Sequence, residues 1–253
     1  MDLCRKRISV TENGKRQPLV SCVPDVRPLA LGVLVDSSPS MKQHAALVRE
    51  ILTQLLQQDV SGGEWHLYRG ADSLHRVAPP AEYPGSVVEL LTVVDKKSRT
   101  AILDHVHEAA LHLSNARVNR RVLVILSDGD DNLSGVSEKQ LIATLQRTQV
   151  TLVHFLLYSI RDTVQDELRT SKLLMELADA TGGLLFPVRD SNDRARAVQA
   201  ASAVTQGASL ISYDSPSPVL DGSFRKIKIE LEQESGRPLL RLRYRQGYYA
   251  PNQ

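Results

Sequence analysis

Residues 29–41 read Leu29-Ala30-Leu31-Gly32-Val33-Leu34-Val35-Asp36-Ser37-Ser38-Pro39-Ser40-Met41. From Leu29 to Val35 there is no polar residue and no alternation, the pattern of a strand buried on both faces. The run breaks on an acid and a cluster of hydroxyls. A helix is then predicted over Lys42 to Gln58, with Leu47, Val48, Ile51, Leu52, Leu55 and Leu56 in one apolar stripe.

The same alternation continues outward. Shorter strands are predicted at Glu64 to Arg69 and Leu74 to Ala78, near a sheet edge and closed off by Pro79-Pro80. A helix from Ala101 to Leu113 precedes a second apolar strand, Val122 to Leu126. Ser137 and Gln140 form a capping box at the start of the next helix, and Val150 to Tyr158 is again a strand. Leu173 to Ala180 is helical and ends in Thr181-Gly182-Gly183. Leu184 to Val188 is the last core strand and about Arg194 to Gln206 the last helix. Strand and helix in turn imply an α/β, doubly wound, mostly parallel sheet flanked by helices.

Both ends of the chain depart from that rhythm. Ile8 and Val10 alternate into Glu12-Asn13-Gly14-Lys15, a two-residue hairpin turn, and Leu19 to Val23 returns. Leu210 to Tyr213, Phe224 to Leu231 and Leu239 to Tyr244 read as C-terminal strands, with Ile227, Ile229 and Leu231 opposite Lys226, Lys228 and Glu230. Two-stranded hairpins are marginal alone, so these segments are expected to join in one accessory sheet. The division is residues 1–28 (hairpin), 29–207 (α/β domain) and 208–253 (C-terminal strands).

The 253 residues suffice to bury roughly three-quarters of the unfolded surface without disulfide or metal. A charge of +2, from 31 basic and 29 acidic residues, gives no general attraction to nucleic acid. No apolar run approaches the ~20 residues of a membrane-spanning helix. Met1 to Val10 lacks the apolar stretch of a secretory signal, so the chain is either cytosolic or starts inside a longer precursor. Cys4 and Cys22 match no zinc or redox spacing. If one hairpin pairs Glu12 with Lys15 throughout, Cys4 faces Val23 and Cys22 faces Arg5, so the sulfurs point to opposite faces and free thiols are expected.

In doubly wound sheets ligands bind beyond the carboxyl ends of the strands. Two such ends are acidic here: Asp36-Ser37-Ser38-Pro39-Ser40, and Ser127-Asp128-Gly129-Asp130-Asp131-Asn132. Thr100, at the start of a helix, can join them. Asp-x-Ser-x-Ser alone would occur by chance in roughly one chain in fifteen of this size, but its place after a buried strand makes it specific.

Together these residues resemble the metal-ion-dependent adhesion site (MIDAS) of von Willebrand factor type A (VWA) domains. Glu12-Asn13-Gly14-Lys15, Thr181-Gly182-Gly183, Asp221-Gly222-Ser223-Phe224-Arg225 and Gly247-Tyr248-Tyr249 are similar to a bacterial VWFA-related subfamily. The resemblance implies a non-enzymatic adhesion or protein-binding module. In it Ser38, Ser40 and Thr100 would be hydroxyl ligands of Mg²⁺ (or Mn²⁺ or Ca²⁺), with Asp36 and Asp128 acting largely through water. Such an ion would keep a position open for an Asp or Glu carboxylate of a protein partner. The resemblance also implies an extracytoplasmic location.

Two positions depart from that pattern. Pro39 stands where Gly is usual, and Ser98-Arg99 where a Gly-Gly pair usually precedes the Thr. A metal-free scaffold, with Asp36 and Ser40 capping the following helix, is therefore the alternative. An enzyme with Asp36 as nucleophile is disfavoured because Ser38 occupies the place expected for a second acid. Asp130 and Asp131 read as a solvated loop. His105, His107 and His112 share a helix without one common direction and do not suggest a metal site. Lys226, Lys228, Arg241, Arg243 and Arg245 could share a strand face, read as a solvated, charge-guarded edge.

Overall fold

A computed structural model describes residues 7–77, 84–95, 99–158, 164–203, 206, 208–215, 220–232 and 242–252. In chain order, β1 (Ile8–Glu12), β2 (Lys15–Gln17) and β3 (Leu19–Pro24) precede the buried strand β4 (Leu29–Asp36). A 3-10 helix, Pro39–His44, leads into α1 (Ala45–Leu56). Then come β5 (Glu64–Gly70), β6 (Leu74–Val77), α2 (Pro84–Leu91), α3 (Ile102–Ser114) and β7 (Arg120–Ser127). The order continues through α4 (Glu138–Thr148), β8 (Val150–Leu157), α5 (Val164–Thr181), β9 (Leu184–Val188) and α6 (Ser191–Ala203). The strands β10 (Ser209–Tyr213), β11 (Phe224–Leu231) and β12 (Gly247–Tyr249) complete it.

The central sheet runs β6-β5-β4-β7-β8-β9, parallel except for the edge strand β6. Every residue of β4 is buried, as its unbroken apolar run demands. Odd-numbered residues Leu29, Leu31, Val33 and Val35 face one core with α1, α2 and α6, whereas Ala30 and Leu34 face the other with α3, α4 and α5. Between the latter two, Gly32 lets α3 close in: a Cβ there would lie 2.7 Å from a methyl of Leu113. Each fully buried leucine contributes roughly 1.5–3 kcal/mol of transfer free energy. The capping box of Ser137 and Gln140 forms as read.

Order reverses at β4, since the chain moves from β4 outward to β5 but from β7 outward to β8 and β9. That switch point places the ends of β4 and β7 side by side, where such sheets leave a crevice. No helix among the described residues is long and apolar enough to cross a membrane.

The terminal strands differ from expectation in several ways. Glu12 pairs with Lys15 around Asn13 and Gly14, both at positive φ, as the turn chemistry requires. At Pro18, however, the chain leaves β1, and β3 pairs with β10 instead. The accessory strands thus form two sheets, the order β12-β11-β1-β2 and the pair β10-β3. The one-hairpin register therefore stops at Gln17 and says nothing about the sulfurs. Cys22 is disulfide-bonded, contrary to the free thiols expected, and the chain's only other cysteine, Cys4, lies outside the described residues.

Leu242 to Tyr244 is not a strand, and residues 239–241 lie outside the described residues. Arg243 and Arg245 do not share a face with Lys226 and Lys228. Their guanidinium groups instead donate to the carbonyls of Gly183 (3.0 Å) and Gln149 (3.0 Å). Helix α2 was not anticipated, because its short apolar stretch sits among prolines. The helix predicted from Lys42 begins as a 3-10 turn and becomes α-helical only at Ala45.

Candidate functional site

Asp36 is the last residue of β4 and 2% exposed. Its Oδ1 accepts the Ser38 N–H at 2.8 Å, a tight turn rather than a helix cap. The other oxygen, Oδ2, is buried and has no hydrogen-bond partner. Burial, then the charge of Asp128, and more weakly that of Asp130, push the carboxyl up to about 7, against the Ser38 N–H that favours the anion. Asp36 and Asp128 therefore feel one another across the β4/β7 switch point.

Ser38 is buried and its Oγ lies 3.0 Å from Oγ of Ser40. Neither caps the turn that follows: Ser38 is the N-cap residue of the 3-10 helix without a side-chain bond into it. Pro39 opens that helix, where its missing N–H costs nothing, and Ser38 at φ −63°, ψ 160° is in the extended region a following proline demands. Pro39 is thus seated without strain.

Thr100 is 3% exposed and precedes α3. Its N–H donates to Oδ1 of Asn132 at 3.2 Å, and the Asn132 N–H returns a bond to the Thr100 carbonyl at 3.1 Å. This pair clamps the Thr100 segment to the loop carrying Asp128. Backbone bonds from Ser37 to Gly70 (2.8 Å), from Ala101 to Ala71 (3.2 Å) and from Asp95 to Ser37 (2.8 Å) close the ring of loops. Arg99 is exposed, its backbone N–H on the Asp72 carboxylate and its guanidinium on the Asn132 carbonyl.

The acidic loop is more constructed than its composition suggests. Asp131, read as solvated, accepts backbone N–H bonds from Leu103 (3.0 Å), Leu133 (3.3 Å) and Ser134 (3.0 Å). Asp104 answers from α3 by accepting from Gly135 and Val136. At the loop's root Ser127 Oγ accepts the Gly129 N–H at 3.1 Å and lies 2.9 Å from Nε2 of His154. Burial drives His154 down to about 3, so it stays neutral. Asn132, Asp104 and His154 escaped sequence reasoning. Only His154, a lone histidine in a strand apolar but for Thr151, left a signal that could have been followed.

Of the histidines on α3, His105 is buried, with neither ring nitrogen hydrogen-bonded and its pKa lowered chiefly by burial. Gly70 makes room for it: a Cβ there would lie 2.4 Å from Nδ1 of His105. His112 stacks on Tyr68 at 5.8 Å instead of turning toward His105. Among the described residues no group of three or more His, Cys, Asp or Glu side chains is arranged to hold a metal ion.

The architecture has relatives among solved structures. A von Willebrand factor type A protein from Catenulispora acidiphila superposes with a TM-score of 0.52 at 15% identity, over 78% of this chain and 49% of that one. The fold is that of a VWA domain. An aerotolerance-related membrane protein from Bacteroides fragilis, solved with multiple mutations to serines, matches with a TM-score of 0.51 at 14% identity, over 70% of this chain and 96% of that one. The chain spans about half the length of the Catenulispora protein. No family model matches the sequence, and no curated protein does. In VWA terms, Asp36, Ser38 and Ser40 stand at the end of the first strand of the central sheet, and Asp128 and Thr100 on the loops beside it.

Proposed function

We propose that this VWA-fold chain is a non-enzymatic, protein-binding or adhesion module of MIDAS type. Ser38, Ser40 and Thr100 would offer hydroxyls to a divalent cation, Mg²⁺ with Mn²⁺ or Ca²⁺ as substitutes. Asp36 and Asp128 would act as acceptors for its water shell. A partner's Asp or Glu carboxylate would complete the coordination. The observation that carries this reading is Oδ2 of Asp36: buried, without a partner, and in the field of two further acids. A buried carboxylate left this way costs stability unless a cation or its water arrives. A hydroxyl-rich donor set also suits a hard ion that retains water, and needs no cluster of three carboxylates or imidazoles.

A metal-free scaffold is the second reading. It is favoured by the Ser38–Ser40 contact, in which the two hydroxyls satisfy each other, and by the Arg99 cation held on the same loops. Calorimetric titration with Mg²⁺ and Mn²⁺ separates the two. Binding that vanishes in Thr100→Ala supports the ion, and a flat isotherm for the folded wild type selects the scaffold.

We place the protein outside the cytoplasm. The disulfide at Cys22 supports this, since such bonds persist in oxidising compartments. So does the likeness in fold to a protein described as a membrane protein. Thiol labelling of protein taken directly from cells, with and without reductant, tests it. A Cys22 thiol that labels fully without reductant would contradict the assignment.

A further inference from the structure

At the opposite end of the sheet from Asp36, a cavity of about 310 Å³ opens between the accessory strands and the end of α4, lined by Gln149, Tyr213, Ser215, Ile227, Arg245 and Tyr248. Its volume falls at the small end of the range for organic ligands. Among the described lining residues Arg245 is the one cation. That guanidinium is half-buried, and among the described residues its one hydrogen bond is to the neutral Gln149 carbonyl and no carboxylate lies within ion-pair distance.

The charged groups that act on Arg245 itself are further cations. Arg27 and Arg121 both act on Arg245 electrostatically, and burial opposes its charge further. Arg27 has its own partner in Asp25, but Arg121 donates to the Thr148 carbonyl and the Asn119 side-chain oxygen, both neutral. The C-terminus of α4 supplies roughly half an elementary charge against these guanidinium groups. Buried charges are normally paired. An anion is the partner this corner lacks.

The rest of the wall narrows the chemistry. Tyr213, Ser215 and Tyr248 donate their hydroxyl hydrogens to the Glu12 carboxylate, at 2.7, 2.7 and 3.0 Å. Whatever hydroxyl surface they turn to the cavity can only accept. With Arg245 presenting a planar fork, a planar monoanion fits better than a phosphate, which wants many donors.

We propose that this cavity binds an organic carboxylate carrying an N–H or O–H donor beside the acid group, with the acid on Arg245 and the donor on the oxygens of Tyr213, Ser215 or Tyr248. Free N-acyl or hydroxy acids and peptide C-termini share that chemistry. The site is independent of the metal reading at the other end of the sheet.

The test titrates the full chain in chelator, so that no divalent ion can capture a carboxylate, with N-acetylglycine, N-acetylglycinamide, lactate, acetate and an N-acetyl tripeptide ending in glycine. N-acetylglycine is expected to bind at least about tenfold tighter than its amide and tighter than acetate, because charge-assisted bonds to Arg are worth that much. Whether the tripeptide or the small acids bind tighter tells which source the cavity prefers. Arg245→Gln should abolish binding, whereas Arg243→Gln, whose side chain lies outside the cavity, should retain it. Should Arg245→Gln not fold, chemical-shift mapping on the wild type decides, with changes expected to centre on Arg245, Ser215 and Tyr213. Equal binding of acid and amide, no binding at tens of millimolar, or shifts centred elsewhere would overturn the proposal.

Discussion

Glu12 and Asp36 are two acids of one chain, 1% and 2% exposed, yet their carboxyl groups are shifted in opposite directions. Burial would raise Glu12 too, but hydroxyl donors from Tyr213, Ser215 and Tyr248, with the Arg225 charge, outweigh it and hold Glu12 below the ordinary range. Asp36 has one N–H donor, an orphaned second oxygen and two acidic neighbours, and rises to about 7. Burial is the largest single influence on both carboxyl groups, and only the donors gathered around Glu12 reverse its effect. Glu12 ties β1, β10 and β12 together and is complete as it stands. Asp36 keeps a buried oxygen without a hydrogen-bond partner, and the proposed metal site rests on that contrast.

Substitution at each acid probes this contrast hardest. Glu12→Gln should strand hydroxyls around a group that no longer accepts as an anion and destabilise the protein by about 2–4 kcal/mol, read by urea denaturation. Asp36→Asn should act oppositely in chelator and melt several degrees above wild type at neutral pH, because a charge that the fold leaves unneutralised is gone. The same variant should lose any metal-induced rise in melting temperature. A lower melting point for Asp36→Asn in chelator would erase the contrast.

Asp131→Ala sharpens the view of the rim without touching a proposed ligand. Losing an acceptor of three backbone N–H groups at an exposed position should cost about 1 kcal/mol. Amide exchange at Leu103, Leu133 and Ser134 should quicken, while β7 itself stays protected.

An effect confined to acid pH is expected at His154. Its folded value near 3 lies below the ordinary 6.5, so between those pH values the unfolded chain takes a proton that the folded one refuses. Stability attributable to it is therefore present above about 6.5 and lost as pH falls, with a slope of at most about 1.4 kcal/mol per pH unit. In His154→Gln the acid side of the stability curve should be shallower than in wild type.

The central sheet was legible because its information is local. Leu29–Val35 and Val122–Leu126 announce buried strands without knowledge of their neighbours, and the capping box at Ser137 lies within one turn. The acids Asp36 and Asp128 were legible as ends of those strands. What was missed depends on distant pairings. No pattern in Leu19–Val23 says that it leaves β1 for β10, some 190 residues on, and the state of Cys22 followed that error. Likewise Asp131 looks like any loop acid until the N-terminus of α3 is set against it, and Arg243 and Arg245 look like strand residues until the carbonyls of Gly183 and Gln149 appear.

The pairing of β1 with β11 and of β3 with β10 also has a meaning in time. β1 and β3 leave the ribosome before the α/β core, and their partners β11 and β10 only after that core has emerged and could already have folded. Throughout that interval β3 and one side of β1 lack their later neighbours and expose strand edges to another nascent copy. Closing the accessory sheets must therefore wait for β10 and β11, and a chain cut short before Ser209 would lack both the partner of β3 and one of the two partners of β1.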